Sequence, residues 1–185
     1  MRLRCSDCQA GIMPNRAPLT SKTMTESRLA RRLRQLDRLP AFVRPWLRDR
    51  VLGRAVPLVG TAGIHFERVD GEAVILSIAN RRHVQNHIGG VHAAAMALLA
   101  ETASGFCLGW HLPDDRLPLI KTLQVDFLRR TQGALTASSR LDPAQIAQIE
   151  AAPKGELRVP VLVTDESGEA PIACRMLWAW VPRTR

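Results

Sequence analysis

The stretch that decides the fold is residues 86–109, which read Asn86-His-Ile-Gly-Gly-Val-His92-Ala-Ala-Ala-Met-Ala-Leu-Leu-Ala-Glu101-Thr-Ala-Ser-Gly-Phe-Cys-Leu-Gly109. From residue 91 its apolar side chains lie all round a helical projection rather than along one stripe, and such a helix is buried on most sides. Gly89 and Gly90 come directly before this apolar helical segment, and Gly109 is suited to the end of a helix. The sequence therefore predicts a buried helix over residues 91–109.

Around this helix the apolar residues alternate with a period of two, which is typical of strands. Asp70-Gly71 is a strong hairpin signal between two such runs before the helix. Pro160 lies in a later run and indicates an edge strand or a bulge. The predicted strands cover residues 64–69, 74–78, 119–127, 134–141, 157–163 and 172–180, with a short helix over 142–151.

This order of elements predicts an α+β fold in which an antiparallel sheet wraps around one long central helix. Six strands cannot cover a helix that is apolar all round. We therefore expect a partner subunit to extend the sheet, in a homodimer or homotetramer.

The net charge is unevenly distributed along the 185 residues. Residues 1–54 hold 13 Lys and Arg against 4 Asp and Glu, whereas residues 55–185 hold 13 of each, so the net charge of +9 belongs to the first part. We predict a disordered tail over 1–25, a basic helical extension over 26–54 and the main domain over 55–182. Because the main domain is neutral, no nucleic-acid partner is expected. No signal peptide or membrane span is predicted, and the cytoplasm is the expected location.

The extension begins with a predicted helix over residues 26–38, in which leucines recur at helical spacing and arginines fill the other faces. A basic amphipathic helix can lie on a membrane surface or against acidic partners. It can equally pack on its own domain through its leucines. Phe42 and Trp46, which follow, are expected to be anchors.

Metal binding is not predicted. Cys5 and Cys8 form a single Cys-x-x-Cys, which is half of a structural zinc site. His83, His87 and His92 have spacings of four and five residues with glycines between, which match no common ligand geometry.

Glu101 is the strongest candidate for a catalytic residue. It is the only acidic residue between residues 73 and 113, and it lies midway along the predicted buried helix. Burial of a carboxylate disfavours the charged form and raises its pKa towards the range of a general base. The alternative is that Glu101 reaches solvent or pairs with Arg81 or Arg82.

The loop over residues 86–92 feeds the start of that helix. Unpaired N–H groups and the positive end of the helix dipole lie at a helix start, where they bind carbonyl oxygens that become anionic. The alternative is an ordinary turn in which Asn86 bonds to the backbone.

Asn86-x-x-Gly-x-x-His92, with Glu101 nine residues later, resembles the motif of hotdog-fold acyl-CoA thioesterases of the phenylacetyl-CoA thioesterase type. Their motif is Asn-x-x-Gly-x-x-His-Gly-Gly, with an acidic residue nine positions after the His. Residues 121–133 resemble the strand that follows the helix in these proteins. The resemblance covers roughly residues 58–181. It implies a hotdog fold, an acyl-CoA or other acyl thioester substrate, a catalytic site at a dimer interface, and no cofactor.

The resemblance also implies roles for single residues. Glu101 takes the position of the catalytic carboxylate, and Asn86 that of the residue which orients water or the thioester. Gly89, His92, Ala93 and Ala94 take substrate-binding positions, with the Ala93 N–H at the thioester carbonyl. Ala93-Ala94 departs from the Gly-Gly of the motif, and Glu101 from the commoner Asp. Coenzyme A would also need a cation near the mouth of the site, for which Arg129 and Arg130 are candidates.

Two other functions stay open. Hotdog dehydratases pair a His with a Glu fourteen residues later, a spacing that His87 and Glu101 match, although the prolines of that motif are missing. The fold could also bind acyl-CoA or an acyl chain without catalysis. The double alanine at 93–94 favours this reading, in which Glu101 is structural.

Overall fold

The computed structural model describes residues 27–36 and 39–184. The predictions for the tail over 1–25, for Cys5 and Cys8, and for both ends of the helix over 26–38 fall outside these residues. The helices are α1 (Arg28–Leu36), α2 (Arg44–Ala55), α3 (Pro57–Ala62), α4 (Ala93–His111) and α5 (Pro143–Ala151), with a short 3₁₀ helix at Arg82–Val84. The strands are β1 (His65–Val69), β2 (Val74–Ile78), β3 (Arg116–Phe127), β4 (Leu135–Ser139), β5 (Gly155–Val159), β6 (Val161–Asp165) and β7 (Ile172–Pro182).

All the strand pairs are antiparallel, in two ladders of order β1-β2-β4-β6 and β3-β7-β5. The single run predicted over 157–163 is wrong in one respect, because it forms two strands that meet at Pro160. Proline has no N–H to donate to a ladder. The chain changes partner there, since β5 pairs with β7 and β6 pairs with β4. Ser139 closes the joint, with its hydroxyl donating to Pro160 O at 2.6 Å. Five strands therefore follow α4, where four were predicted.

Helix α4 fills the space inside the two ladders and contacts strands of both. Leu99, Ala103 and Leu108 have no exposed surface. A β-carbon on Gly105 would lie 2.7 Å from Cη2 of Trp178, so the helix and β7 approach closely there. This antiparallel sheet around a central helix is the hotdog fold, as the resemblance implied.

The limits of α4 differ from the prediction by two residues at each end. Val91 forms a β-bridge with Gln85, and the helix starts at Ala93. Gly109 lies inside the helix and does not end it, and Leu29 of α1 packs beside it. Within the described part of the chain, α4 is long and apolar enough to cross a membrane. Its contacts with both ladders are those of the core helix of a soluble-type α+β protein.

Helix α1 packs on the domain through its apolar side, since Ala30 and Leu33 are buried. Arg31 donates from Nη2 to Asp114 Oδ2 at 2.8 Å, which ties the helix to the turn after α4. The helix therefore packs on its own domain through its leucines, which is the second of the two predicted possibilities.

The prediction that Phe42 and Trp46 are anchors is wrong, because they are 85% and 62% exposed. Phe42 lies in the turn before α2. In α2 the buried residue is Leu52, and Trp46 precedes it by six residues, which places it on a different side of the helix.

Candidate functional site

The loop before α4 is held by Asn86. Its Oδ1 accepts hydrogen bonds from Ile88 N at 3.0 Å and Gly90 N at 3.1 Å, and its own N–H donates to Gly90 O at 2.8 Å. Gly89 has φ +79°, the left-handed region that favours glycine. The Oδ1 atom of Asn86 therefore bonds to the backbone of an ordinary turn, as the alternative interpretation of this loop predicted. The Nδ2 group donates to no acceptor in the described chain, so it stays free for a ligand.

His92 caps the start of α4. Its Nδ1 accepts from Ala94 N at 3.0 Å, and its carbonyl accepts from Ala95 N and Met96 N. In the neutral ring the proton is then on Nε2. Among the hydrogen bonds of residues 39–184, none uses the Ala93 N–H. This donor lies at the positive end of a 19-residue helix, where it suits a carbonyl oxygen that gains negative charge.

A cavity of about 350 Å³ opens at this point. It brings Asn86 and Ala93 together, whereas Gly89, His92 and Ala94 adjoin it in sequence without lining it. The opposite wall comes from the end of β3 and the loop after it. We call it the Asn86 cavity, and its lining residues are Asn86, Ile88, Gly90, Ala93, Met96, Phe127, Leu128, Arg129, Arg130 and Thr131.

Six of these lining residues had no predicted role in the site: Ile88, Gly90, Met96, Phe127, Leu128 and Thr131. A β-carbon on Gly90 would lie 3.0 Å from Thr131 Oγ1, so the two walls approach closely there. Only the resemblance of residues 121–133 to the strand after the helix pointed to this wall.

Glu101 is half-buried on α4 and does not line the Asn86 cavity of its own chain. It follows Ala93 by eight residues, or about 12 Å along the helix axis. Burial raises the pKa of its carboxyl group, opposed weakly by the Thr102 hydroxyl at 3.5 Å. Within residues 39–184 it forms no ion pair, so the pairing considered with Arg81 or Arg82 is absent.

The uncovered side of α4 contains Glu101. In the first half of the helix, Ala94 is exposed, and Ala97, Leu98 and Glu101 are half-buried. Residues three and four apart share a side of a helix, so these four form one stripe. The carboxylate is thus accessible from a side that this chain's own sheet does not cover.

Arg129 and Arg130 both line the cavity wall, but only the Arg129 side chain has hydrogen-bond partners in the described chain. Arg129 donates from Nη2 to Asp165 Oδ1 at 2.9 Å and to Ser167 Oγ at 2.8 Å. Burial alone would raise the pKa of Asp165, but its hydrogen bonds with Arg129, Ser167 and Gln132 N outweigh this and hold it well below the usual range. Arg130 is exposed, and its side chain has no partner among the described residues.

The histidines considered as ligands are dispersed. His83 places Nε2 3.3 Å from Ala62 O, and His87 is exposed outside the Asn86 cavity. No three His, Cys, Asp or Glu side chains of the described chain are grouped as a metal site would require.

A family model described as a domain of unknown function, DUF4442, matches residues 44–181. The chain belongs to the DUF4442 family. This match contains both ladders, α4 and the Asn86 cavity. No protein with curated function matches this DUF4442 chain.

Solved structures with the same fold include several thioesterases. A protein of unknown function from Pseudomonas aeruginosa, described as a probable thioesterase, is 25% identical, with a TM-score of 0.65 over 78% of this chain and 97% of its own. A thioesterase from Haemophilus influenzae is 13% identical, with a TM-score of 0.54 over 68% and 82% of the two chains. A thioesterase family protein from Silicibacter pomeroyi is 14% identical, with a TM-score of 0.57 over 73% and 96%. The last two show the fold alone. Together these likenesses show that the DUF4442 chain has a thioesterase-like hotdog fold.

Proposed function

We propose that this protein is a cytoplasmic acyl-CoA thioesterase that works as a homodimer or homotetramer. The observation that carries the proposal is the Asn86 cavity, in which an amide donor and the free N–H of Ala93 meet at the start of α4. Two such donors suit the carbonyl oxygen of a thioester, which becomes negative when its carbon is attacked. The apolar side chains of Ile88, Met96 and Phe127 suit an acyl group.

In the proposed reaction, the thioester carbonyl points its oxygen at the Ala93 N–H. Glu101 takes a proton from a water molecule as the water oxygen attacks the carbonyl carbon. The tetrahedral intermediate then collapses, the carbon–sulfur bond breaks, and the proton passes from Glu101 to the leaving thiolate. Attack by Glu101 itself, followed by hydrolysis of the anhydride, gives the same products. A raised pKa suits either role, because a more basic carboxylate takes a proton from water more readily and is also a stronger nucleophile towards the carbonyl carbon.

The carboxylate in this reaction comes from a second copy of the chain. Glu101 lies about 12 Å along the helix from the Ala93 N–H of its own chain, on the uncovered stripe of α4. Strand β3 is at the edge of its ladder and pairs only with β7 among the described strands. It also exposes large apolar residues, and an exposed apolar edge strand favours pairing with another chain. These residues are Leu117, Leu119, Ile120, Leu123 and Phe127.

The test measures thiol release from short, medium, long and aromatic acyl-CoAs. Wild-type protein is expected to hydrolyse at least one, and Glu101→Gln should reduce kcat about 10²- to 10⁴-fold. The matched control is Glu169→Gln, which removes an exposed carboxylate from the turn before β7 and should change nothing. Absence of turnover on every acyl-CoA, with the proteins folded, would refute the proposal. Calorimetric binding of acyl-CoA or hydration of enoyl-CoA would then identify one of the two alternatives.

The shared site has its own test. Glu101→Gln and Asn86→Ala proteins are each expected to be inactive. When they are unfolded together and refolded as a mixture, some dimers pair an intact Asn86 cavity with an intact Glu101 from the other chain. Activity should return in the mixture and not in either variant treated alone. If it does not return, although mass spectrometry shows mixed dimers, each site lies within one chain.

A further inference from the structure

A second concavity, of about 650 Å³, lies between α2, α3 and the start of β1. It shares no lining residue with the Asn86 cavity. We call it the α2–α3 groove, and its lining residues are Trp46, Asp49, Arg50, Gly53, Arg54, Pro57, Gly60, Thr61, Gly63 and Ile64.

The floor of this groove is backbone. A β-carbon on Gly60 would lie 2.9 Å from Gly53 O, so α2 and α3 cross with no side chain between them. Larger residues at either glycine would push the helices apart or fill the groove. The close crossing therefore leaves open space beside the side chains of α2.

The wall formed by α2 combines an aromatic ring with two cations. Trp46, Arg50 and Arg54 are spaced four residues apart, which places them along one side of the helix. Trp46 is 62% exposed, and Cζ of Arg50 lies 5.6 Å from its ring centroid. In the described chain, no carboxylate pairs with Arg50 or Arg54.

The one acidic residue of the groove is already engaged. Asp49 accepts a hydrogen bond from Phe66 N at 2.8 Å and contacts the ring nitrogen of His65 with its other oxygen. The groove therefore offers two guanidinium groups that no carboxylate of the described chain neutralises, beside the exposed indole of Trp46, which Arg50 overlies. A guanidinium binds phosphate through paired hydrogen bonds, and an aromatic face stacks on a nucleobase.

We propose that the α2–α3 groove binds a nucleotide, with the base against Trp46 and Arg50 and a phosphate on Arg54. The nucleotide has two possible sources, a free mononucleotide or the nucleotide end of a coenzyme A thioester. The second source is included because one end of the groove lies near the Asn86 loop. The groove ends at Gly63 and Ile64, and His83, which shortly precedes that loop, contacts the carbonyl of the neighbouring Ala62. Binding in the groove does not depend on the thioesterase proposal.

The test is calorimetric titration of the full chain with AMP, 3′,5′-ADP, adenosine and inorganic phosphate. A nucleotide is expected to bind more tightly than adenosine or phosphate alone. Trp46→Leu should weaken binding about tenfold through lost stacking, and Arg54→Gln about tenfold through a lost charged hydrogen bond. Trp46 is exposed, so circular dichroism should show both variants folded.

Arg32→Gln is the matched control, because it removes an exposed arginine of α1 that lies outside the groove. Equal weakening by this variant would mean general attraction to the basic surface and would overturn the proposal. So would the absence of nucleotide binding at millimolar concentration, including the case where vesicles with anionic lipid bind through Trp46 and Arg54.

The two sources are separated by titrating coenzyme A as well and comparing its affinity with those of 3′,5′-ADP and AMP. If coenzyme A binds much more tightly than 3′,5′-ADP, and Arg54→Gln weakens both, the groove holds the nucleotide end of the coenzyme. If AMP binds as tightly as coenzyme A, the groove holds a free nucleotide. Both outcomes can be read in a protein without thioesterase activity, so failure of one proposal is distinguishable from failure of the other.

Discussion

Replacement of Asp165 by Asn should destabilise the protein and loosen the wall of the Asn86 cavity. The Asp165 carboxylate has no exposed surface. Its Oδ1 accepts from Arg129 Nη2, Ser167 N and Ser167 Oγ at 2.9, 3.0 and 2.6 Å, and its Oδ2 accepts from Gln132 N at 2.8 Å. An asparagine has only one oxygen. If that oxygen keeps the contacts of Oδ1, the NH₂ group faces the N–H of Gln132, and two donors oppose each other.

The cost has two parts. An N–H deprived of its acceptor costs about 1–3 kcal/mol. The hydrogen bond from Arg129 also becomes one to a neutral acceptor, and since charged hydrogen bonds are about twice as strong as neutral ones, roughly 1 kcal/mol more is lost. We therefore expect Asp165→Asn to lower the free energy of unfolding by about 2–4 kcal/mol at pH 7.

Urea unfolding at pH 7 and pH 3 is the assay. The pKa of Asp165 is lower in the folded protein than its ordinary value of 3.8. Its stabilisation is therefore fully present above that value and declines as the pH falls below it. The difference between the two proteins should be largest at pH 7 and smaller at pH 3. Asp115→Asn is the control, since that side chain is 80% exposed and should contribute almost nothing. A difference below about 0.5 kcal/mol at pH 7 would refute the reasoning, because it lies within the range of ordinary surface substitutions.

Three further predictions follow from single contacts. Burial raises the pKa of Glu101 above its ordinary value of 4.5. The wild-type protein should therefore lose stability as the pH rises from 4.5 through the raised pKa of the folded state. Glu101→Gln should lack this loss, so its Tm at about pH 7.5 should be higher than that of the wild-type protein. Gly105→Ala places a β-carbon 2.7 Å from the Trp178 ring, a clash that puts the overpacking cost in the upper part of the usual range of about 1–3 kcal/mol. Since alanine gains about 1 kcal/mol in helix propensity, the net loss should be about 1–2 kcal/mol and should lower the urea midpoint, and an unchanged midpoint would mean that the ring moves freely. Under the proposed function, Arg130→Gln should raise KM for acyl-CoA about tenfold at constant kcat and leave acyl-pantetheine unaffected, whereas equal effects on both substrates would exclude a phosphate contact.

The elements with strong local patterns were predictable. The hairpin at Asp70-Gly71 and the apolar helix that became α4 depend on periodicities within a few residues, and both lie close to their predicted positions. The ends of α4 were predicted less closely. At its start the His92 side chain caps the helix, a position that Ser, Thr, Asp or Asn usually takes, so the residue gave no clear signal. At its other end Gly109 lies inside the helix beside Leu29, which precedes it by eighty residues, and the local sequence does not contain that contact.

The exposure of Trp46 and Phe42 was not predictable for a different reason. Large aromatic side chains are usually buried, so a single sequence favours the core for them. Helix α2 has only a weak apolar side, and Leu52 alone is buried along it. Which side of such a helix faces the domain is decided by tertiary packing, which the pattern does not contain.

The candidate site was predicted more fully on one wall than on the other. Asn86 and Ala93 came from the motif, and both line the Asn86 cavity. The resemblance offered Arg129 and Arg130 as equal candidates for a phosphate. Only Asp165, thirty-six residues after Arg129, separates them, because it engages one guanidinium and leaves the other exposed.

The groups of the Asn86 cavity divide the proposed reaction between two chains. Within one chain the cavity contains donors, in Asn86 Nδ2 and the Ala93 N–H, and its lining includes no carboxylate. Donors can hold and polarise a thioester carbonyl, but they cannot take a proton from water. An isolated protomer should therefore bind an acyl thioester without cleaving it. The binding-only alternative and the thioesterase then differ in whether a second Glu101 reaches the cavity. For this reason kcat per chain should rise with protein concentration through the dimer association range, while the ability to bind acyl-CoA should persist below it.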